Sequence, residues 1–223
     1  MTADLFETVG DARPPRETMA EGAVVLRGFA RPFEAALIPA LGDIVKQAPF
    51  RHLITPGGHR MSVAMTNCGS LGWVSDSSGY RCDGIDPNSG APWPPMPSVL
   101  CRLAAGAATE GGYAGFTAEA CLINRYVSGA KLSLHQDKDE LDFAAPIVSV
   151  SLGLPAIFLF GGLKRSDPTR RYRLEHGDVV VWGGPSRLAF HGVAPLADGE
   201  HGLLGRQRIN LTFRKVRPGA AGR

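Results

Sequence analysis

The sequence predicts a single, mostly β domain of the sandwich or jelly-roll type, with two helices laid on one outer face. Three observations carry that expectation. After residue 118, eight short segments (ACLINRY, KLSLHQD, PIVSVSLG, AIFLFGG, RYRLEH, DVVVWGG, RLAFHGV and QRINLTFRKV) follow one another with Gly, Pro or Asp turns between them. Before them, two stretches repeat at helical spacing. At 223 residues, the chain is long enough for one such domain with a real core, taken here as 1–223.

The elements follow in order. The first twenty or so residues, including DARPPRE, lack periodicity and should run over the surface before AVVLRGF offers a strand. In PFEAALIPALGDIVKQA, Phe33, Leu37, Leu41, Ile44 and Val45 share a helical face, and Pro39 should bend or split that helix. MSVAMTN reads as a strand. Residues 67–96 are rich in Gly, Pro, Ser and Asp and read as a long loop, but Trp73, Tyr80 and Trp93 make it a lid rather than a disordered linker. PSVLCRLAAGAA is a second helix, entered by Pro97 and stopped by the glycines of EGG.

Composition sets the class. Apolar residues at 44% with 20% charged residues describe a globular chain, and no stretch has the length of a membrane span or the pattern of a secretory signal. Cys68, Cys82, Cys101 and Cys121 show no CxxC or paired spacing, so free thiols in a cytoplasmic protein are expected. Net charge is only +3, but residues 201–223 carry six basic residues and no acid, and LKRSDPTRRYR forms a second basic cluster. Such clusters suit a polyanionic partner or a solvated basic face alike.

The chemistry begins at AKLSLHQDKDE. Leu132 and Leu134 alternate with Ser133 and His135, and the polar side then continues through Asp137 and Asp139. In an extended chain, His135 and Asp137 leave the same face about 6–7 Å apart, close enough to converge on one ion. His191 in RLAFHGV is the third candidate. Two histidines and one carboxylate on a jelly roll suit a non-haem Fe(II) with open coordination positions, although zinc accepts the same ligands. The last strand, RINLTFR, puts Ile209, Leu211 and Phe213 on one side and Arg208, Asn210, Thr212 and Arg214 on the other. Two arginines on an inner face require an anion, and guanidinium forks suit a dicarboxylate; on an outer face they simply meet water. LINRY adds Asn124 and Tyr126 on one face, completing a polar pocket for a small anion.

These stretches, together with TPGG, MSVAMTNCG, LGW, FGGLKR, LEHGDVVVWGG and NLTFR in this order, closely resemble the bacterial AlkB family of Fe(II)- and 2-oxoglutarate-dependent dioxygenases over nearly the whole chain. The resemblance implies a double-stranded β-helix core over 118–216 beneath a nucleotide-recognition lid over 50–96. It implies Fe(II) held by His135, Asp137 and His191, which form the catalytic centre. It places 2-oxoglutarate on Arg208 and Arg214 with Asn124, Tyr126 and Asn210 assisting, and molecular oxygen as the second cosubstrate. It implies a flipped base between Trp73 and His191, with Tyr80 on the phosphate backbone, Asp139 near the exocyclic amine and Arg165 at the pocket edge. Met65, Thr55, Lys131 and Ser133 are further substrate contacts. The implied activity is oxidative demethylation of N1-methyladenine and N3-methylcytosine in single- or double-stranded DNA and in RNA, releasing formaldehyde and succinate. The implied setting is a cytoplasmic monomer with no membrane partner.

Two segments depart from the family pattern. In 80–90, Cys82 stands where an aromatic is common, and 194–207 also differs. A dioxygenase acting on a protein side chain or metabolite, and a metal-bearing sensor without turnover, are the rival readings.

Overall fold

The computed structural model describes residues 14–217. Its strands are β1 (Arg16–Ala20), β2 (Ala23–Leu26), β3 (Arg51–Ile54), β4 (Arg60–Gly69), β5 (Gly72–Asp76), β6 (Gly79–Asp83), β7 (Ala120–Tyr126), β8 (Leu132–His135), β9 (Ile147–Gly153), β10 (Ala156–Phe160), β11 (Arg170–Leu174), β12 (Val179–Trp182), β13 (His191–Val193) and β14 (Arg208–Arg214). The helices are α1 (Glu34–Gln47) and α2 (Ser98–Glu110). A large sheet runs β1-β2-β12-β9-β14-β7-β4-β3, a smaller one β11-β10-β13-β8, and β5-β6 form a separate hairpin. Each segment expected to be a strand after residue 118 contains one, so the jelly-roll expectation holds.

Three layers result. One apolar cluster lies between the helices and the large sheet, where Leu37, Leu41 and Ile44 of α1 and Leu100, Leu103 and Ala107 of α2 meet Ile209, Leu211 and Phe213. Leu211 and Phe213 are fully buried, each contributing about 1.5–3 kcal/mol relative to exposure. A second cluster, with Phe158, Phe160 and Trp182, lies between the sheets. Both faces of β14 are therefore buried, one by the helix layer and one by the cavity between the sheets. The end of α2 presses on β12 so closely that a Cβ at Gly111 would lie 2.7 Å from a Val181 methyl. The chain then turns at Gly112, whose φ of 96° suits glycine.

Several expectations need correction. Arg16–Ala20 is a strand, not surface coil; it is an edge strand with only Met19 buried, so the apolar alternation that marks a strand is missing. Residues 1–13 of that expected coil lie outside the described residues. Pro39 neither splits α1 nor ends it. Proline removes a single N–H donor there, and packing of three buried residues against the core holds the helix together. The segment 67–96 is not a plain loop, because β5 and β6 pair from Gly72↔Asp83 to Asp76↔Gly79. β8 stops at His135, so Asp137 lies beyond the strand rather than on it.

Candidate metal and cosubstrate site

The register of the two sheets aligns the side chains. In the small sheet, His191 lies directly across from His135, and Phe160 lies across from His191 on its other side. Gly192 permits this pairing, since a Cβ there would sit 2.7 Å from the Leu132 carbonyl oxygen. In the large sheet, β14 faces β7 as Arg208↔Tyr126 and Asn210↔Asn124, and Met65 of β4 faces Asn124. Strand alternation then sends all these polar groups into the space between the sheets.

There, one ligand atom each from His135, Asp137 and His191 lie within 4.8 Å of one another. His135 Nε2 is 3.5 Å from Asp137 Oδ1, and His191 Nε2 is 3.7 Å from Asp137 Oδ2. Each Nδ1 is within hydrogen-bond distance of a main-chain carbonyl, Ser133 at 2.9 Å and Ala189 at 3.0 Å, which leaves each Nε2 for a metal. Burial, reinforced by the charge of His135, pushes His191 down to about 4, so its imidazole is neutral at pH 7 and ready to ligate. Burial would raise the Asp137 carboxyl, but Arg214 and the two imidazoles hold it well below the usual aspartate range.

The two arginines of β14 differ. Arg214 Nη2 pairs with Asp137 Oδ2 at 2.8 Å, and its Nε lies 3.1 Å from Glu140 Oε1. Arg208, 1% exposed, gives one hydrogen bond, from Nη2 to Ser151 Oγ at 2.8 Å, and packs over the Tyr126 ring at 4.9 Å. Among the described residues, its Nε and Nη1 have no hydrogen-bond partner and no carboxylate is within ion-pair distance. Burial lowers its pKa, the sign of a cation short of charge compensation. Asn124 gives its amide N–H to Asn210 Oδ1 at 3.2 Å and leaves its own Oδ1 unpartnered. An orphaned guanidinium beside two imidazoles and a carboxylate fits a hard anion and a borderline divalent cation together, and therefore fits Fe(II) with 2-oxoglutarate.

All sixteen residues singled out from the sequence line one cavity of about 700 Å³, a usual size for a small-molecule site. At its mouth, the β5-β6 hairpin brings Trp73 and Tyr80 into a stack with centroids 5.5 Å apart and planes 14° from parallel. Trp73 Nε1 donates to Asp139 Oδ2 at 2.7 Å, joining the hairpin to the chain just past the metal ligands. Arg51 of β3 holds the hairpin's base, pairing with Asp86 and packing over Trp93 at 5.1 Å. Cys82, across from Trp73, is an inert thiol pushed up to about 12 by burial. Sequence reasoning missed Glu140 and Arg187 beneath Asp137, and Arg60 and Lys138 on the cavity lining. The acid-rich run HQDKDE hinted at Glu140; nothing local marks Arg187.

Residues 22–214 match the model of the 2OG-Fe(II) oxygenase superfamily. The chain is 59% identical to the α-ketoglutarate-dependent dioxygenase AlkB of Escherichia coli (strain K12), over 96% of this chain and 97% of that protein. It is 47% identical to the AlkB homologue of Caulobacter vibrioides (strain NA1000 / CB15N), over 82% of each. Among solved structures, that of OsALKBH1 superposes with a TM-score of 0.75 at 28% identity, covering 90% of this chain and 100% of that one. A 2OG-Fe(II) oxygenase family oxidoreductase from Burkholderia pseudomallei, at 18% identity and TM-score 0.54 over 86% of this chain and 84% of that one, shares the fold. Fold, ligand cluster and kinship agree: the chain belongs to the 2OG-Fe(II) oxygenase superfamily and, within it, to the AlkB family of α-ketoglutarate-dependent dioxygenases.

Proposed function

We propose that this dioxygenase removes alkyl groups from the ring nitrogens of nucleobases, with N1-methyladenine and N3-methylcytosine in DNA and RNA as its substrates. The observation that carries this reading is the pairing of Trp73 with Asp139 over a cavity whose floor holds the His135, Asp137 and His191 cluster. An indole face and a carboxylate at one cavity mouth suit a flat, cationic ring, and methylation at N1 of adenine or N3 of cytosine makes the base cationic. The same methylation blocks pairing, which lowers the cost of extracting the base. Relatives named a nucleic acid dioxygenase and a tRNA demethylase support the substrate class.

His135, Asp137 and His191 would hold Fe(II), which with 2-oxoglutarate and oxygen supplies hydroxylation of the N-methyl carbon, giving succinate, carbon dioxide and formaldehyde. The residues divide the remaining work. Arg208 would anchor the far carboxylate of 2-oxoglutarate, satisfying its two unpartnered nitrogens, Nε and Nη1. Asn124, Tyr126 and Asn210 shape the channel to it, and Arg214 steadies Asp137 while facing the nearer carboxylate. Residues 50–96 act as the lid, in which Trp73 stacks on the base against His191, Asp139 receives the exocyclic amine, and Tyr80 meets the backbone. Thr55, Met65, Lys131, Ser133 and Arg165 complete the wall. Closing the lid keeps water from the oxidant.

The test is incubation of the iron-loaded protein with 2-oxoglutarate and an N1-methyladenine oligonucleotide. One formaldehyde and one succinate per repaired base are expected. Absence of turnover at verified iron loading would refute the reading. A protein-side-chain or metabolite substrate would instead show as turnover that is indifferent to Trp73→Ala.

A further inference from the structure

Beneath the ligand cluster, four buried charges alternate in sign and close into a ring. Arg214 is ion-paired with Asp137 Oδ2 and with Glu140 Oε1, the latter contact lacking hydrogen-bond alignment. Glu140 Oε2 accepts from Arg187 Nη2 at 3.0 Å. Arg187 Nη1 returns to the main-chain oxygen of Asp137 at 2.7 Å, and its Nε donates to the Ala145 carbonyl at 3.0 Å. The four residues are at most 7% exposed. Two cations and two anions leave the ring neutral, and no member has water to replace a lost partner.

The ring joins three segments that must agree for the site to exist: the chain after β8, which bears Asp137; the turn before β13, where Arg187 precedes His191; and β14, which bears Arg214. It also divides the carboxylate of Asp137. Oδ2 is engaged by Arg214 and is the oxygen nearer to His191 Nε2, while Oδ1 is the oxygen nearer to His135 Nε2. The Arg214 bond thus fixes which way the carboxylate turns between the two imidazoles.

We propose that Glu140 and Arg187 are positioning residues for the metal: they fix Arg214 and the loop after β8 so that the Asp137 carboxylate stays turned toward His135 and His191. Packing alone does not call for charges at this place, since apolar residues of similar volume often fill buried sites at equal or lower cost. The inference rests on the reading of His135, Asp137 and His191 as metal ligands, and the experiment separates the two.

Metal-free protein is titrated with Mn(II), an oxygen-stable stand-in for Fe(II), by calorimetry below the melting temperature. Wild type binds one ion per chain. Glu140→Gln and Arg187→Met each weaken binding about 10–100-fold, the cost typical of losing a partner behind a ligand. The double variant binds no more weakly than the weaker single, because either change opens the ring. Arg27→Met, which breaks a buried ion pair with Asp178 outside the cavity, lowers the melting temperature and leaves Mn(II) affinity unchanged. Folded Glu140→Gln and Arg187→Met proteins with wild-type Mn(II) affinity would overturn the inference. Should Arg187→Met fail to fold, the near-isosteric Glu140→Gln decides alone. A wild-type protein that binds no Mn(II) overturns the metal reading itself, and the inference with it.

Discussion

The floor of the cavity and its lid are built on different physical terms. The floor comes from inner strands β7 and β14 of the large sheet, inner strand β13 and edge strand β8 of the small one, and the segment just after β8. His191 has a ladder partner on each side and Asn210 lies between β7 and β9, so backbone hydrogen bonding fixes where these side chains start. The outer part of the proposed lid is the β5-β6 hairpin, which stands outside both large sheets, a unit that is marginal alone. It is held by Arg51 on Asp86, by the packing of Trp93, and by the bond from Trp73 to Asp139. Tyr80 on it is 47% exposed, whereas Arg208 on the floor is 1% exposed. Under the proposed function, oxidation chemistry would sit where the strands fix geometry, and base recognition where fewer contacts must change. Substitutions in the two regions should therefore separate cosubstrate chemistry from substrate choice.

The largest separation is expected at Arg208. Arg208→Met removes a buried cation with no acid beside it, so the protein without cosubstrate should melt at the same temperature or higher. The same change should abolish the thermal shift given by 2-oxoglutarate and cost about 2–5 kcal/mol of its binding, read as a raised KM. A floor variant that lost stability and kept 2-oxoglutarate affinity would break the comparison. Next in size is Trp73→Ala. Loss of one base-stacking ring should cost about 1–3 kcal/mol of oligonucleotide affinity. Decarboxylation of 2-oxoglutarate without repair should persist, seen as succinate in excess of formaldehyde.

The same division explains what the sequence disclosed. The faces of β14 were legible because period-two alternation admits one arrangement once Ile209, Leu211 and Phe213 must be buried. The candidate ligands and the candidate anion pocket were nameable from the residues because His135 with Asp137, LINRY and RINLTFR each compress a fragment into a few positions, whereas the candidate substrate contacts came only from the family resemblance. What alternation could not show is that Arg208 and Arg214, six residues apart on one face, have different partners. That depends on Asp137 and Glu140, which arrive from the segment after β8. Arg187 was invisible for the same reason, since its acid partner is 47 residues away and no motif links them. The hairpin was hidden because GWVSD and GYRCD are short and flanked by glycine, and β1 because an edge strand needs no apolar face.

A smaller effect should sharpen the lid's side of the comparison. Burial would raise the Asp86 carboxyl, but its bonds to Arg51 and to the Asn88 N–H bring it below the ordinary 3.8. A carboxylate lowered in the folded state contributes stability that is complete above 3.8 and lost as pH falls through its lower folded value. Asp86→Asn should therefore speed hydrogen exchange of the β5 and β6 amides relative to wild type at pH 7. The gap should persist to pH 4 and close only below it. A gap that closed between pH 5 and 7 would assign the anchoring to another group.

The smallest expected effect tests whether the rim carries a strand at all. Arg60, Lys131, Lys138 and Arg165 are exposed, line the mouth, and have no acid within ion-pair distance among the described residues. Unpaired surface cations of this kind release counterions when they meet phosphates, and each contact adds about 0.7 to the slope of log affinity against log salt for a single strand. Arg60→Ala should lower that slope by about one such increment, weaken all sequences alike, and leave 2-oxoglutarate binding and melting temperature unchanged. The measurement is a fluorescence-anisotropy titration of a labelled oligonucleotide at several salt concentrations. An unchanged slope would place the strand away from β4, on the Lys138 and Arg165 side of the mouth. The lid would then present the base from one bank alone.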